Sequence, residues 1–206
     1  MDSQDEDGGI RTVGILGAGK FGLALARLAL AASYRVLVEG SGDSEGITSR
    51  VGALASGAEP VAVAEVIRAD VVILALPFRA HRSLPIAGLR GKLVVDAMNR
   101  GRDADGADRK LPGHRSSSEM VQAHLSGARL VKAFNHVGYH ELEDDALPVG
   151  AEGRKAMAMA GDDPHDGTVG AMIRALGFDP VVAGPLKEGA RFQPGTKPFG
   201  ARASAE

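Results

Sequence analysis

The chain has 206 residues, a formal net charge of −2, 44% hydrophobic residues and 28 glycines, but no cysteine. Composition and charge are ordinary for a globular domain, and they exclude the strongly basic surface that is typical of nucleic-acid-binding proteins. The absence of cysteine excludes disulfides, thiolate metal sites and cysteine nucleophiles, and it favours a cytoplasmic location.

The two ends of the chain differ in composition from the part between them. Residues 1–9 are acidic and polar, and we expect a disordered tail without the apolar core of a signal peptide. No apolar run approaches the roughly 20 residues that a membrane helix requires. Residues 10–187 are predicted to form one dinucleotide-binding domain, and residues 188–206 a short irregular C-terminal arm.

Short apolar strands alternate with helices along the predicted domain. Strands are expected at residues 12–16, 34–39, 59–63, 70–76, 92–97, 130–134, 155–160 and 180–183. Helices are expected at residues 20–33, 44–55, 64–69, 116–125 and 164–176. This alternation predicts an α/β fold of the Rossmann type, with a doubly wound, mainly parallel sheet and helices on both faces.

The sequence GAGKFG at residues 17–22 fits the G-x-G-x-x-G pattern, directly between an apolar strand and a helix rich in Ala and Leu. In that pattern Gly17 permits a tight turn, Gly19 lets the backbone approach a pyrophosphate, and Gly22 lets the helix pack closely on the strand. The helix start offers unpaired N–H groups to the phosphates. The predicted dinucleotide site therefore includes Gly17, Ala18, Gly19, Lys20, Phe21 and Gly22. A glycine-rich turn without a ligand is the alternative.

The end of the second strand bears on the choice between NAD and NADP. Glu39 stands where an acidic residue typically binds the ribose hydroxyls of NAD. Gly40 and Ser41 begin a small polar loop that could surround a 2′-phosphate with N–H and hydroxyl donors, and Arg50 could reach the same charge. The sequence leaves NAD(H) and NADP(H) both open.

Three further strands end in residues that should converge near the nicotinamide, because ligands bind at the carboxyl ends of parallel strands. These residues are Pro77 and Phe78, Met98 and Asn99, and Asn135 and His136. Asn135 could hold the carboxamide, and His136 could donate a proton or a hydrogen bond to the reduced acceptor. Each of these residues could also be an ordinary turn residue.

His136, His140 and Glu141 are close in sequence, but Gly138 makes a continuous helix doubtful and no further ligand is evident. No metal site is predicted.

Several motifs together resemble the coenzyme F420-dependent NADP oxidoreductase family. They span residues 10 to 187 and comprise GAGKFG, ALPF, VVDAMN, SSSEMVQ, LVKAFNHVG, AGDD and AGPL. The resemblance implies NADP(H) on a Rossmann domain and hydride transfer between the nicotinamide and a deazaflavin, coenzyme F420, or a flavin such as FMN, often in a homodimer. It also implies roles for individual residues. Gly17, Gly19 and Gly22 would hold the pyrophosphate, Gly40 and Ser41 would lie nearest the 2′-phosphate, and the nicotinamide would be lined by Leu76, Pro77, Met98, Asn99, Ala133 and Asn135.

The chain departs from the family pattern at two places. Family members often carry an Arg in the 2′-phosphate loop, where this chain has GSGD directly after Glu39. The archaeal deazaflavin enzymes have His at the position of Asn135 and end in an apolar helical segment, where this chain has RFQPGTKPFG.

The leading prediction is an NADP(H)-dependent oxidoreductase that passes hydride to a deazaflavin or flavin, with neither nucleic acid nor a membrane as a partner. The first alternative is an NAD(P)-dependent reductase of a small carbonyl or imine. The second is a dinucleotide-binding module without catalytic turnover.

Overall fold

The computed structural model describes residues 9–100, 116–162 and 167–205. The strands are β1 Thr12–Leu16, β2 Arg35–Glu39, β3 Glu59–Pro60, β4 Val71–Leu74, β5 Leu93–Asp96, β6 Arg129–Lys132, β7 Ala156–Gly161 and β8 Asp179–Gly184. The α-helices are α1 Lys20–Ala31, α2 Ser44–Leu54, α3 Val63–Val66, α4 Ile86–Leu89, α5 Ser117–His124, α6 Tyr139–Asp144 and α7 Gly167–Ala175. Within the described ranges, 3₁₀ segments cover Phe78–Ser83 and Leu186–Phe192. Residues 1–8 of the tail expected at residues 1–9, and the first residues of the helix expected from residue 164, lie outside the described residues.

All eight strands belong to one sheet, in the order β3-β2-β1-β4-β5-β6-β7-β8. The pairs from β3 to β6 are parallel, β6 and β7 are antiparallel, and β7 and β8 are again parallel. The predicted Rossmann-type, mainly parallel α/β fold is therefore confirmed. The strand order reverses between β1 and β4, and this reversal opens a crevice at the carboxyl ends of the central strands, where α/β folds bind ligands.

The sheet separates two hydrophobic clusters because successive side chains of a strand point to opposite faces. On β4, Val71 and Ile73 belong to the larger cluster, which also contains the apolar face of α1. Val72 and Leu74 belong to the second cluster, which packs against α3, α4 and α5. The central strands are buried on both faces, which explains why they are apolar without alternation.

Element boundaries differ from the expected ones where local chemistry intervenes. The third strand was expected at residues 59–63, but β3 has only two residues. Pro60 lacks a backbone N–H for a longer ladder, and Val63 already begins α3.

The expected start of α5 is correct, because Ser116 forms a capping box. Its Oγ accepts from the Glu119 N–H at 3.2 Å, while its own N–H donates to the Glu119 carboxylate at 2.6 Å.

The residues after β8 form neither a strand nor an α-helix, yet they pack on the sheet. Phe192 is buried, and the Ala156 N–H at the start of β7 donates to the Ala203 carbonyl at 2.8 Å. The boundary at residue 187 between domain and C-terminal arm remains our proposal. Over the described ranges, no helix combines the length and the apolar composition needed to cross a bilayer.

Candidate functional site

The glycine turn between β1 and α1 contains two glycines that packing requires and one that it does not. Gly17 has φ +124°, and a Cβ there would lie 2.3 Å from the Ala75 carbonyl oxygen. A Cβ on Gly22 would lie 1.8 Å from the Gly17 carbonyl oxygen. A Cβ on Gly19, in contrast, would meet nothing within 4 Å. The first and third glycines are therefore explained by the fold, whereas the middle one faces open space.

No side chain in the described part of the protein occupies the N–H groups at the start of α1. Gly19 is the N-cap residue, it forms no side-chain cap, and the first turn contains no acidic residue. The unpaired N–H groups and the partial positive charge of this helix end are therefore available to an anion. Ala18 is buried beneath the turn, whereas Gly19 and Lys20 are exposed.

The end of β2 lies directly against this turn. The Gly17 N–H donates to the Glu39 carbonyl at 2.7 Å. A Cβ on Gly40 would lie 2.6 Å from the Ala18 Cβ, so the two segments touch. Partial burial raises the pKa of the Glu39 carboxyl. Ser41, the next residue along, is exposed.

A cavity of about 480 Å³ lies beside the turn, at the carboxyl ends of β4, β5 and β6. This volume is within the range of small-molecule sites. The lining residues are Phe21, Ala75, Leu76, Ala97, Asn99, Asn135, His136, Val137, Gly138, Tyr139, Glu141, Phe199 and Gly200. Most of this lining is apolar or aromatic, with a few polar groups on one side.

The structure brings only part of the predicted nicotinamide set into this cavity. From that set, Leu76, Asn99, Asn135 and His136 line it, and Phe21 of the predicted glycine turn lines it as well. Pro77 is exposed beside it. Phe78, Met98 and Ala133 are buried in the core and do not line the cavity. Phe78 and Met98 belong to the second hydrophobic cluster and Ala133 to the larger one.

Asn99 and Asn135 join the ends of β5 and β6. The Asn135 Nδ2 donates to the Asn99 Oδ1 at 3.1 Å and to the Phe192 carbonyl at 2.9 Å, and the Asn99 Nδ2 donates to the Asn135 carbonyl. The Asn135 Oδ1 is buried and has no hydrogen-bond partner within the described part of the chain. Because a buried acceptor without a partner is costly, this oxygen is suited to a donor supplied by a ligand.

His136 is 4% exposed, and its ring lies edge-on to Phe192. Burial lowers the pKa of His136 to about 4, against a raising contribution from the Ala156 backbone. The imidazole is therefore neutral at pH 7. The Ala158 N–H donates to Nε2 at 3.3 Å, which favours the proton on Nδ1, and Nδ1 has no partner among the residues described.

The residue before Asn135 and His136 has a left-handed backbone conformation. Phe134 has φ +64°, which is uncommon outside glycine and costs about 1 kcal/mol. Its ring is fully buried in the larger core cluster, and that burial offsets the strain. The resulting change of direction takes the chain from the core at Phe134 to the cavity wall at Asn135 and His136.

Sequence reasoning missed the cavity residues that come from α6 and from the C-terminal segment. Tyr139 begins α6, and its hydroxyl lies 3.4 Å from the Lys20 Nζ. Phe199 and Gly200 belong to the segment that was expected to be an irregular arm, and the Gly200 N–H donates to the His136 carbonyl at 2.7 Å. A signal was present, because Phe192 and Phe199 are two aromatic residues in an otherwise polar segment, but nothing in the sequence indicated their positions.

Sequence reasoning also missed a buried ion pair behind the cavity. Asp96 and Lys132 lie at the ends of β5 and β6, both are 0% exposed, and their charged atoms are 3.2 Å apart. Asp96 also accepts from the Ser118 hydroxyl at 2.7 Å and from the Met98 N–H at 3.0 Å, while Lys132 donates to the Met98 carbonyl. Burial lowers the pKa of Lys132. The pair therefore fixes the backbone at Met98, immediately before Asn99.

Among the described residues, no group of three or more His, Asp or Glu side chains is arranged to hold a metal ion. His136 precedes Gly138, and α6 begins only after that glycine, so His136 and His140 do not share a helix face.

Comparison with known families and structures agrees with this description. Residues 12–100 match the model of the family described as NADP oxidoreductase, coenzyme F420-dependent. The resemblance that the motifs indicated is therefore confirmed over these residues, which make up less than half of the chain. No curated protein matches the chain.

Solved structures share the fold over most of the chain. A hypothetical protein from Sinorhizobium meliloti is 29% identical, with a TM-score of 0.83 over 96% of this chain and 97% of its own. A protein from Arthrobacter sp. FB24, assigned as an F420-dependent NADP reductase, is 20% identical, with a TM-score of 0.73 over 88% of both chains. An imine reductase from Pseudomonas sp. is 18% identical, with a TM-score of 0.62, and this chain spans 57% of its length.

Proposed function

We propose that this protein is an NAD(P)H-dependent oxidoreductase that transfers hydride between the nicotinamide and the planar ring of a deazaflavin, such as coenzyme F420, or of a flavin. The observation that carries the proposal is the position of the cavity. It adjoins the uncapped start of α1, and it is lined mainly by apolar and aromatic side chains. Such a site suits two stacked rings in a dry cleft.

The glycine turn would hold the dinucleotide by its pyrophosphate. The N–H groups at the start of α1 would donate to the phosphates. The open space above Gly19 would let the backbone approach them. Gly17 and Gly22 act indirectly, since they allow the turn and the helix to pack closely. When bound, the nicotinamide supplies the hydride chemistry.

Asn135 and His136 suit the carboxamide of the nicotinamide. A primary amide offers one acceptor and two donors. These two residues offer an acceptor, Asn135 Oδ1, and a donor, the His136 Nδ1–H, neither of which has a partner among the described residues. Both atoms are covered in this structure, so carboxamide binding here requires the two side chains to turn toward the cavity. Asn99 would orient Asn135 through their mutual hydrogen bonds.

The acceptor would enter from the side of Tyr139 and Phe199. Both are aromatic residues on the cavity wall, and Phe199 is 38% exposed. An aromatic platform of this kind favours a planar acceptor. His136 is neutral at pH 7, so its role is to donate a hydrogen bond and not to act as an imidazolium acid.

One observation favours a second candidate, a reductase of a small carbonyl or imine. The Tyr139 hydroxyl lies in the cavity wall and 3.4 Å from the Lys20 Nζ, so a phenol and an ammonium are paired close to the substrate space. A phenol in this position could protonate the oxygen or nitrogen of a reduced small substrate. Transfer between two rings does not require that proton.

The experiment follows nicotinamide oxidation with F420, with FMN, with a panel of small carbonyls and imines, and without an acceptor. We expect turnover with a deazaflavin or flavin, a loss of at least about tenfold in Asn135→Ala, and little change in Tyr139→Phe. Turnover of carbonyls or imines alone, abolished by Tyr139→Phe, would support the second candidate. Tight dinucleotide binding without any turnover would identify a binding module.

We further propose a homodimer located in the cytoplasm. Support for the dimer comes from the edge strand β8, where Val181 and Val182 are exposed on an otherwise packed sheet. Light scattering of the purified protein tests this, and a monomeric mass at micromolar concentration would contradict it. The cytoplasmic location rests on the absence of cysteine and can be tested by cell fractionation.

A further inference from the structure

We infer that this protein prefers NAD(H) to NADP(H), because the residues beside its glycine turn suit a free ribose 2′-hydroxyl and oppose a 2′-phosphate. The inference rests on the proposed function only in requiring that a dinucleotide binds at the turn. The inference concerns the adenosine end of that dinucleotide. The proposed hydride transfer takes place at the other end, at the nicotinamide.

Glu39 is fixed in the position that would contact the adenosine ribose. Its carbonyl accepts from the Gly17 N–H at 2.7 Å, so its backbone is bonded to the turn. The following residue, Gly40, is packed so closely on Ala18 that a Cβ would approach the Ala18 Cβ to 2.6 Å. In a Rossmann fold, the residue at this strand end faces the ribose hydroxyls.

Within the described ranges, the Glu39 carboxylate has no cation that would compensate a second negative charge. Its pKa is raised by partial burial, and no Lys or Arg of the described residues pairs with it. Two ribose hydroxyls would donate hydrogen bonds to this carboxylate and stabilise it. A 2′-phosphate would bring about two further negative charges to the same place, at a large electrostatic cost.

The helix start that could have bound a 2′-phosphate is already capped. Asp43 is the N-cap residue of α2, its Oδ1 accepts from the Gly46 N–H at 2.6 Å, and Glu45 lies in the first turn. Two carboxylates therefore neutralise the positive end of this helix dipole.

The balance of charge along this segment is also unfavourable for a phosphate. Between residues 39 and 50 the chain has three acidic residues and only one basic residue, Arg50. Arg50 is exposed and lies six residues after the start of α2, which places it about 9 Å along the helix axis. The positive charge of Arg50 is therefore farther from the loop after β2 than the negative charge of Asp43, which caps the start of α2.

Binding of NADH and NADPH is measured for the full chain by nicotinamide fluorescence, at low salt and pH 8. We expect the wild type to bind NADH at least about tenfold more tightly than NADPH. Glu39→Gln should weaken NADH binding and improve NADPH binding by severalfold. Asp43→Asn should improve NADPH binding while α2 stays intact, because Asn caps a helix as well as Asp does.

Two controls separate a local effect from a general one. Glu152→Gln removes an exposed carboxylate from the loop before β7 and should change neither affinity. Because the discrimination is electrostatic, it should decrease at about 1 M salt and also near pH 5.5, where a phosphate monoester loses one charge.

The outcomes distinguish this inference from the proposed function. Equal or tighter binding of NADPH, or a specific loss of NADPH affinity in Arg50→Ala, would overturn the preference for NAD(H) and leave the proposed oxidoreductase intact. Absence of binding by either dinucleotide would overturn the proposed function itself. Unchanged affinities in Glu39→Gln would overturn the role of that carboxylate.

Discussion

At the scale of single residues, the glycine turn separates requirements of the fold from requirements of a ligand. Gly17 and Gly22 have backbone atoms where a side chain would have to lie, whereas Gly19 has none within 4 Å. Packing does not require a glycine at position 19, and the residue is the N-cap of α1, where a side chain would restrict the approach of a ligand to the helix start. This distinction can be tested at each position separately.

Gly19→Val should fold normally but lose NADH affinity by at least about a hundredfold, because a branched side chain would stand where the pyrophosphate approaches. The φ of −80° and ψ of 178° at Gly19 accommodate valine without strain. Calorimetry and fluorescence titration measure the two properties. Gly52→Ala, which also faces open space, is the matched control. Unchanged affinity in Gly19→Val would remove the phosphate role of the turn.

Gly22→Ala should have the opposite effect, a loss of stability. Its Cβ would lie 1.8 Å from the Gly17 carbonyl, so α1 must move away from β1. We expect a loss of several kcal/mol in the free energy of unfolding, measured by urea titration. A variant as stable as the wild type would show that the close approach of α1 to the turn is not required.

The ion pair between Asp96 and Lys132 is a second residue-scale test. Lys132→Met would leave Asp96 charged and without its cation in the core, and this should cost about 3–5 kcal/mol of stability. The double variant Lys132→Met, Asp96→Asn should recover much of that loss. Chemical denaturation of both variants measures this, and an equal loss in the single and double variants would be inconsistent with a coupled pair.

At the scale of elements, the C-terminal segment does more than follow the last strand. It contacts β7 through Ala203, the loop after β6 through Gly200, and the C-cap of α6 through the ion pair of Arg202 with Asp145. These anchors hold Phe199 against the cavity. A segment without regular structure thus contributes one wall of the candidate site.

Phe199→Ala should raise the KM for a deazaflavin or flavin acceptor about fivefold, because an aromatic contact worth about 1 kcal/mol is lost. The affinity for NADH should not change, since the glycine turn is untouched. Steady-state kinetics and NADH titration measure the two effects. Val149→Ala, an exposed apolar residue that does not line the cavity, is the control. An equal change in the acceptor KM and in the NADH affinity would contradict a specific contact between Phe199 and the acceptor.

At the scale of the whole molecule, stability should depend on pH through His136. Its pKa is about 4 in the folded protein and 6.5 in an unperturbed chain, so the unfolded chain takes up a proton first as the pH falls. The full stability is present above pH 6.5, and about 3 kcal/mol is lost as the pH falls to 4. Unfolding titrations should show this loss in the wild type and not in His136→Gln. Parallel pH profiles would contradict the burial of a neutral imidazole.

The sequence by itself determined the fold class, the glycine turn and the order of most elements. These features depend on local information: apolar strands such as Val71–Leu74, glycines at fixed spacing, and a capping box at Ser116 and Glu119 that only neighbouring residues form. The family resemblance followed from the same local motifs, and residues 12–100 bear it out.

Only the tertiary structure decided which residues share the cavity. Asn135 and His136 were predicted because they follow a strand, but Phe78 and Met98 follow strands too and are buried in the core. Tyr139, Phe199 and the partner of Lys132 were not predictable, because contacts between residues tens of positions apart depend on how elements pack. The physical reason is that periodicity and turn chemistry are local, whereas a site at a sheet edge is assembled by long-range packing.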